Sequence, residues 1–466
     1  MPRVVRMSAF PRVLRRPMVL GGALVPAAAV AALLGAPAAT AAPAILQAPA
    51  VHASVSPAQR LASFDFNDAL PENPDLLRQM LWIKEGKVPS AAPENLRVAT
   101  FSAGLSRSAP GELTEDLSTP GDEQGQQVAE TVQRAAPDLV LLTDVDVDGG
   151  EELAQSFRTN YLAVGTGGQQ GIDYPYMYVA EVNNGVDTGA DLDNDGVIGG
   201  PGDTFGPGEF AGQHGMVLYS KHPLDTEGIR TFQELPWDSM PGNAIPEDTF
   251  SDLERSVLRL SSSSHWDIPV QVGDQTVHVL AARPGDGGDG LAGAERHHDE
   301  MRLWADYVSG DPAESGYIVD DEGQSGGLSE GEPFILAGEF GPLTGTDLDE
   351  EEHPSVIAGL LESEAVQDPE PTSRGAAVIT EDEHPMATEV VGREGGDWTV
   401  ARSDYLLPSS SLTTAASGVF WPQSGQLGSH LTRANAPGGE PGEPNDSTPS
   451  EHRLVWTDLD LGSGSG

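Results

Sequence analysis

A series of short apolar runs, set apart by long loops, limits what this chain can fold into. The runs are Leu96–Phe101, Asp138–Leu142, Met216–Tyr219, Val277–Ala282, Phe334–Gly338, Asp404–Leu407 and His452–Trp456. Each is too short for a buried helix and lacks strict polar alternation, so each reads as a strand covered on both faces. Helical spacing occurs at about Glu123–Ala135 and Glu300–Val308. The connections are crowded with the chain's 55 Gly and 37 Pro. Many strands with few helices predict an α+β fold, a two-sheet β-sandwich flanked by helices. The domain spans 96–461. An Ala/Pro-rich linker with a short helical passage around Leu76–Ile83 precedes it over 42–95, and a flexible tail follows at 462–466. Residues Asn435–Ser450, rich in Pro, Gly, Glu and Ser, read as an exposed loop.

The first 41 residues read as an address. Arg3, Arg6, Arg12, Arg15 and Arg16 form a basic head, an apolar run follows from Met18 to about Gly35, and Ala39-Thr40-Ala41 supplies a small-residue cleavage pattern. The run is broken by Gly21, Gly22 and Pro26 and is short for a membrane span. No later stretch is long and apolar enough to cross a bilayer, so a secreted protein without a transmembrane segment is expected. The chain has no cysteine, which excludes disulfides, thiolate catalysis and zinc–thiolate sites.

Net charge is −47, and the leader would take five arginines and no acid with it. Such a field repels phosphate backbones at long range, so bulk nucleic acid is a poor partner at low salt. The acids are dispersed along the chain, as on a surface suited to high salt, where self-repulsion is screened.

The strand runs, taken in order, resemble the endonuclease/exonuclease/phosphatase family. Leu96–Ser102 is similar to its opening strand, Pro137–Asp144 to its second motif and Gly212–Ser220 to the next strand. Leu258–Ser261 with Ser264–Val270 resembles a secreted bacterial branch. Phe334–Glu339, Ser403–Pro408 and Ser450–Leu459 match the later motifs. The resemblance implies metal-assisted phosphoester hydrolysis, with carboxylates on a divalent cation (Mg or Mn) and a His–Asp pair for proton transfer.

Carried over position by position, it assigns catalytic roles to His452, Asp404, Glu339 and Arg283. Asp144 and Glu451 are assigned to the divalent ion. The family asparagine after the first strand is Ser102 here, and its second-motif glutamate is Asp144. Its phosphate-side histidine is Arg283. Its Gly-Asp-x-Asn motif keeps a carboxylate at Glu339 but has Gly341 in place of the asparagine. Its final Ser-Asp-His reads Ser450-Glu451-His452. Asp-for-Glu exchanges keep charge but shift the oxygens, and Gly341 deletes a donor and an acceptor. Arg283 can clamp phosphate but does not readily give up a proton. For Asp404–His452 the reading is divided between a general-base pair and a buried structural hydrogen bond.

Two other patterns carry metal chemistry. Asp191-Leu192-Asp193-Asn194-Asp195-Gly196 has carboxylates at alternate positions and Gly at the turn, the spacing with which a loop wraps calcium. The glutamate expected at position 12 is Gly202, with Asp203 one residue later and no flanking helices. The spacing predicts a structural calcium site of Asp191, Asp193, Asp195 and Asp203, against the alternative of a solvated Asp/Asn turn. His297-His298-Asp299 resembles a metal triplet, but neighbours on a helix face different ways, so His298 and Asp299 are expected in loop–helix hydrogen bonding.

Two functions follow. One is a secreted phosphoester hydrolase with a degenerate site, acting on a small phosphoester or a phospholipid headgroup. The other is a non-catalytic relative that binds a ligand or partner in the former cleft.

Overall fold

The computed structural model describes residues 87–285, 292–341, 355–394, 397–432 and 449–462. The expected leader, the Leu76–Ile83 passage and most of the Asn435–Ser450 loop lie outside these residues.

The seven apolar runs fall in β1, β2, β4, β7, β8, β11 and β13 of the strands β1 (Asn95–Leu105), β2 (Leu139–Val145), β3 (Tyr176–Tyr178), β4 (Gly215–Ser220), β5 (Arg230–Thr231), β6 (His265–Val272), β7 (Gln275–Ala282), β8 (Phe334–Glu339), β9 (Glu389–Glu394), β10 (Asp397–Ala401), β11 (Asp404–Pro408), β12 (Thr413–Val419) and β13 (Val455–Asp460). One sheet has the order β12-β13-β1-β2-β4-β3, the other β11-β8-β7-β6-β5, and β9 and β10 form a separate hairpin. Pairing is antiparallel except for β1 with β2 and β7 with β8. The expected α+β sandwich with outer helices is thus present.

Side-chain period fixes how the layers meet. In β7 and β8, Val279, Ala281, Ile335 and Ala337 join the core shared with the six-stranded sheet, which includes Val98 and Leu141. Their neighbours Leu280, Ala282, Phe334 and Leu336 face the other way. There they pack with Met301, Leu303, Trp304 and Tyr307 of the helix Gly293–Val308. Alternation in these strands therefore separates two apolar layers rather than core from water.

One polar pair breaks the apolar pattern for a reason. Arg97 and Asp458 face each other across β1 and β13 and are hydrogen-bonded at 2.6 and 2.8 Å. The guanidinium lies over Trp456 at 4.4 Å and also donates to the Ala135 carbonyl. A one-residue slip would leave both charges buried and unpaired, so the pair pins the register.

The helix Glu123–Ala135 has its predicted bounds; Asp122 caps it, its carboxylate accepting from the Gly125 N–H at 2.6 Å. Other bounds differ from expectation, as two elements show. The helix read at Glu300 starts at Gly293, and the last strand read at His452 starts at Val455. His452 instead makes a single bridge to Glu389, which the sequence did not indicate.

Candidate active site

The chemistry-bearing residues come from the ends of central strands. Ser102 lies in β1, Asp144 in β2, Glu339 at the end of β8 and Asp404 at the start of β11, while Arg283 directly follows β7. Two breaks in the sheet ladder shape this edge. Register shifts flank Asp144 on both sides, and its φ is +55°, a left-handed value for a non-glycine. His214, the residue before β4, has the same φ. Backbone of this kind costs about 1–3 kcal/mol and persists where surrounding contacts enforce it. The contact here is direct: His214 Nδ1 lies 2.6 Å from Asp144 Oδ1.

Glu339 stands at the centre. Its Oε2 accepts from Ser102 Oγ at 2.8 Å and from Arg283 Nε at 3.2 Å. Arg283 Nη2 also approaches Asp144 Oδ1 at 3.9 Å, so one guanidinium spans the two carboxylates. His452 Nδ1 pairs with the buried Asp404 Oδ2 at 2.9 Å, and its Nε2 is 3.9 Å from Glu339 Oε1 and 4.0 Å from Glu389 Oε1. Ser403 Oγ donates to the other oxygen of Glu389. Ser450 Oγ accepts from the His452 backbone N–H and donates to the Ser102 carbonyl, which ties the last motif to the first strand.

These contacts set the charges. Burial disfavours a charged imidazole, but Asp404, Glu339 and Glu389 outweigh it and hold His452 at a pKa of about 10. Burial likewise favours protonated carboxyls. At Asp144 the His214 hydrogen bond and Arg283 overcome this and lower the pKa to about 2, and at Glu339 Arg283 and His452 hold it below the usual range. Asp404 is the exception, raised by its complete burial. In this state His452 is a proton donor. A general-base role requires another cation to take up the charge of Glu339.

The sequence-predicted residues divide accordingly. Arg283, Glu339, His452, Asp404 and Asp144 converge. Glu451 is exposed and does not line the cleft. Glu389 enters the site without a sequence signal, and His214, inside the matched segment Gly212–Ser220, enters without having been assigned a role. Gly341 has φ +75°, and a Cβ there would approach the His297 ring at 3.1 Å, so the ring takes the space where an asparagine side chain would begin. Glu339, Arg283 and His452 open into a cavity of about 740 Å³ that extends to the loop 201–209.

Beyond the cleft, Asp191, Asp193 and Asp195 each bring a carboxylate oxygen to within 4.8 Å of the others, the one such acidic group among the described residues. Asp203 stands apart: its oxygens accept from the Leu192 and Gly199 N–H groups at 2.6 and 2.9 Å and clasp the loop from inside. Of the His297–Asp299 triplet, His298 Nδ1 lies 3.0 Å from Asp299 Oδ1, while His297 turns away. His297 Nδ1 meets the Gly285 carbonyl, and Asp299 Oδ2 accepts from Trp237 Nε1 and the Ala244 N–H.

The fit of the cleft to a divalent ion follows from its charges. Asp144, Glu339, Glu389 and Asp404 face Arg283, His214 and a protonated His452. Ion pairing inside the cluster therefore leaves acidic charge uncompensated, and Asp404 Oδ1 is buried without a hydrogen-bond partner. Asp144 and Glu339, the two carboxylates that Arg283 spans, are the residues that would hold a divalent cation there if Arg283 turned toward a ligand.

The profile of the "Endonuclease/Exonuclease/phosphatase family" matches residues 117–452. Among solved structures, an endonuclease/exonuclease/phosphatase from Beutenbergia cavernae is 16% identical, with 78% of this chain and 71% of that one covered and a TM-score of 0.41. Truncated TDP2 from Caenorhabditis elegans is 12% identical, covering 78% and 97%, TM-score 0.38. A family protein from Leptotrichia buccalis is 11% identical, covering 78% and 99%, TM-score 0.38. No curated protein matches the sequence.

Proposed function

This chain belongs to the endonuclease/exonuclease/phosphatase family, and we propose that it is an exported phosphoester hydrolase working in the Glu339–His452 cleft. The observation that carries this reading is the meeting of Arg283, Glu339 and the Asp404–His452 pair at one mouth of the cavity. Arg283 presents a guanidinium fork suited to two phosphate oxygens. Asp404 fixes the His452 ring through Nδ1, which leaves Nε2 to give a proton to the departing oxygen. A divalent ion, Mg or Mn, bound by Asp144 and Glu339 would neutralise charge developing on the phosphoryl oxygens. The substrate is a small phosphoester or phospholipid headgroup, since the acidic surface disfavours bulk nucleic acid.

A second reading rests on its own observation. Arg283 is engaged between two carboxylates, and Gly341 brings no side chain, an arrangement that suits a family member binding a phosphoester without turning it over. Hydrolysis of a generic monoester and a generic diester, with magnesium, manganese or chelator, separates the two. Metal-dependent turnover that disappears in His452→Ala supports the hydrolase. Equal rates in wild type and variant under every condition support binding alone.

We further propose that Asp191, Asp193 and Asp195 hold a structural calcium ion. Asp191 Oδ1 is shielded from water and has no hydrogen-bond partner, which a cation would supply. Among the described residues no helix is long and apolar enough to cross a membrane. The leader signature supports export of the protein.

A further inference from the structure

The cavity is far larger than a phosphate group needs: about 740 Å³, within the range that houses a whole small-molecule ligand. Away from Glu339 and His452 its walls change character. Leu192, Phe205, Trp237, Phe250 and Leu258 line that part, and each is less than a tenth exposed. Polar atoms beside them are already used. The Trp237 indole N–H donates to Asp299. Arg296 reaches the carbonyls of Phe205, Arg259 and Leu260, which fixes the wall as a preformed surface. Glu300 accepts from the Ser262 N–H and Oγ and from the Gly285 N–H.

One atom is an exception. Asn184 lines the same cavity and is 2% exposed. Its Nδ2 donates to the Pro207 carbonyl at 2.9 Å, which fixes the amide orientation, while Oδ1 is buried with no hydrogen-bond partner. Asn184 bridges to Gly206, next to Phe205, which places the residue beside the apolar wall. An unmatched buried acceptor is unfavourable, and a ligand donor would recover part of that loss.

We propose that the cavity takes a phosphoester whose alcohol is an aromatic ring bearing a hydrogen-bond donor. Its phosphate lies at Arg283 and His452, its ring against Phe205, Phe250 and Leu258, and its N–H or O–H on Asn184 Oδ1. The inference rests on the phosphoester reading above and adds the substrate class. A headgroup without a ring would leave the apolar wall uncovered and the acceptor unmatched.

The test is calorimetric binding of glycerol 3-phosphate, phenyl phosphate, the three isomeric hydroxyphenyl phosphates and free phenol, each with magnesium and with chelator. The expected order places one hydroxyphenyl isomer about tenfold tighter than phenyl phosphate, and phenyl phosphate tighter than glycerol 3-phosphate. Asn184→Leu should erase the hydroxyl preference while phenyl phosphate binds as before, which a merely structural role would not produce. If that variant fails to fold, Phe205→Ala tests the wall from the other side and should weaken the aryl phosphates alone. Glycerol 3-phosphate binding as tightly as every aryl phosphate would overturn the inference and leave the phosphoester reading standing. Phenol binding without any phosphate binding would support the ring subsite and overturn the phosphoester reading. No binding by any of them would overturn both.

Discussion

Two acidic clusters in one molecule meet opposite physical conditions. In the cleft, Asp404 is buried and Asp144 and Glu339 are partly buried, and each is matched by a cationic or imidazole side chain from a distant part of the chain. In the loop, Asp193 and Asp195 are exposed, and the carboxylates accept from backbone N–H groups two to five residues away. Burial makes a carboxylate depend on long-range partners, whereas exposure lets local turns and water suffice. The first cluster should therefore be fragile to loss of a partner, and the second should respond mainly to a cation.

The largest expected effect breaks the buried side. Asp404→Ala leaves His452 without its Nδ1 acceptor, and removing one partner of a buried pair typically costs about 3–5 kcal/mol. Denaturant unfolding should show a loss of that size. A change below about 1 kcal/mol would mean that the pair is solvated.

Calcium comes next and should act on the loop alone. At a hundredfold excess over its Kd, calcium should add about 2.7 kcal/mol. Chelator should lower Tm, and Asp193→Ala should remove that response while costing within about 0.5 kcal/mol when no metal is present. A chelator effect unchanged in the variant would move the metal elsewhere.

A third test uses pH. Burial raises the Glu300 carboxyl from 4.5 to about 6 despite Arg296 and three hydrogen bonds. Between those values the folded state binds more protons than the unfolded one, so this group's contribution is full below 4.5 and is lost as pH rises through 6. The loss is about 2 kcal/mol at most. Glu300→Gln should flatten stability over that window, and an unchanged pH slope would show that Glu300 titrates normally.

Salt should have the smallest effect per group, concentrated on the exposed side. Tm should rise between low and molar salt, since the screening length falls to about 3 Å at 1 M. A flat response would argue against surface repulsion as the reason for the salt-tolerant composition.

The same contrast explains what could be read from sequence. The loop cluster was legible because its residues are adjacent and alternate. The strands were legible because both faces are covered, as in Leu139–Leu142, and the family motifs then located Arg283, Glu339 and His452. Glu389 left no trace, and His214 lay in a matched strand segment with nothing to mark its role. His214 depends on a ladder break at Asp144, and Glu389 enters on the hairpin β9–β10, whose residues lack a clear apolar period. Glu451 was placed by motif alignment, yet it is exposed while its neighbour His452 faces the cleft. Asn184 could not be singled out in advance, because an orphan acceptor exists only once the walls around it are assembled.

The most direct test of the central claim is calorimetric titration of inorganic phosphate into the purified protein and into Arg283→Gln, with magnesium, manganese or chelator. A phosphoester site at the strand ends predicts binding in the wild type that falls about tenfold or more in the variant. Equal binding in both proteins, or none in either, would contradict it.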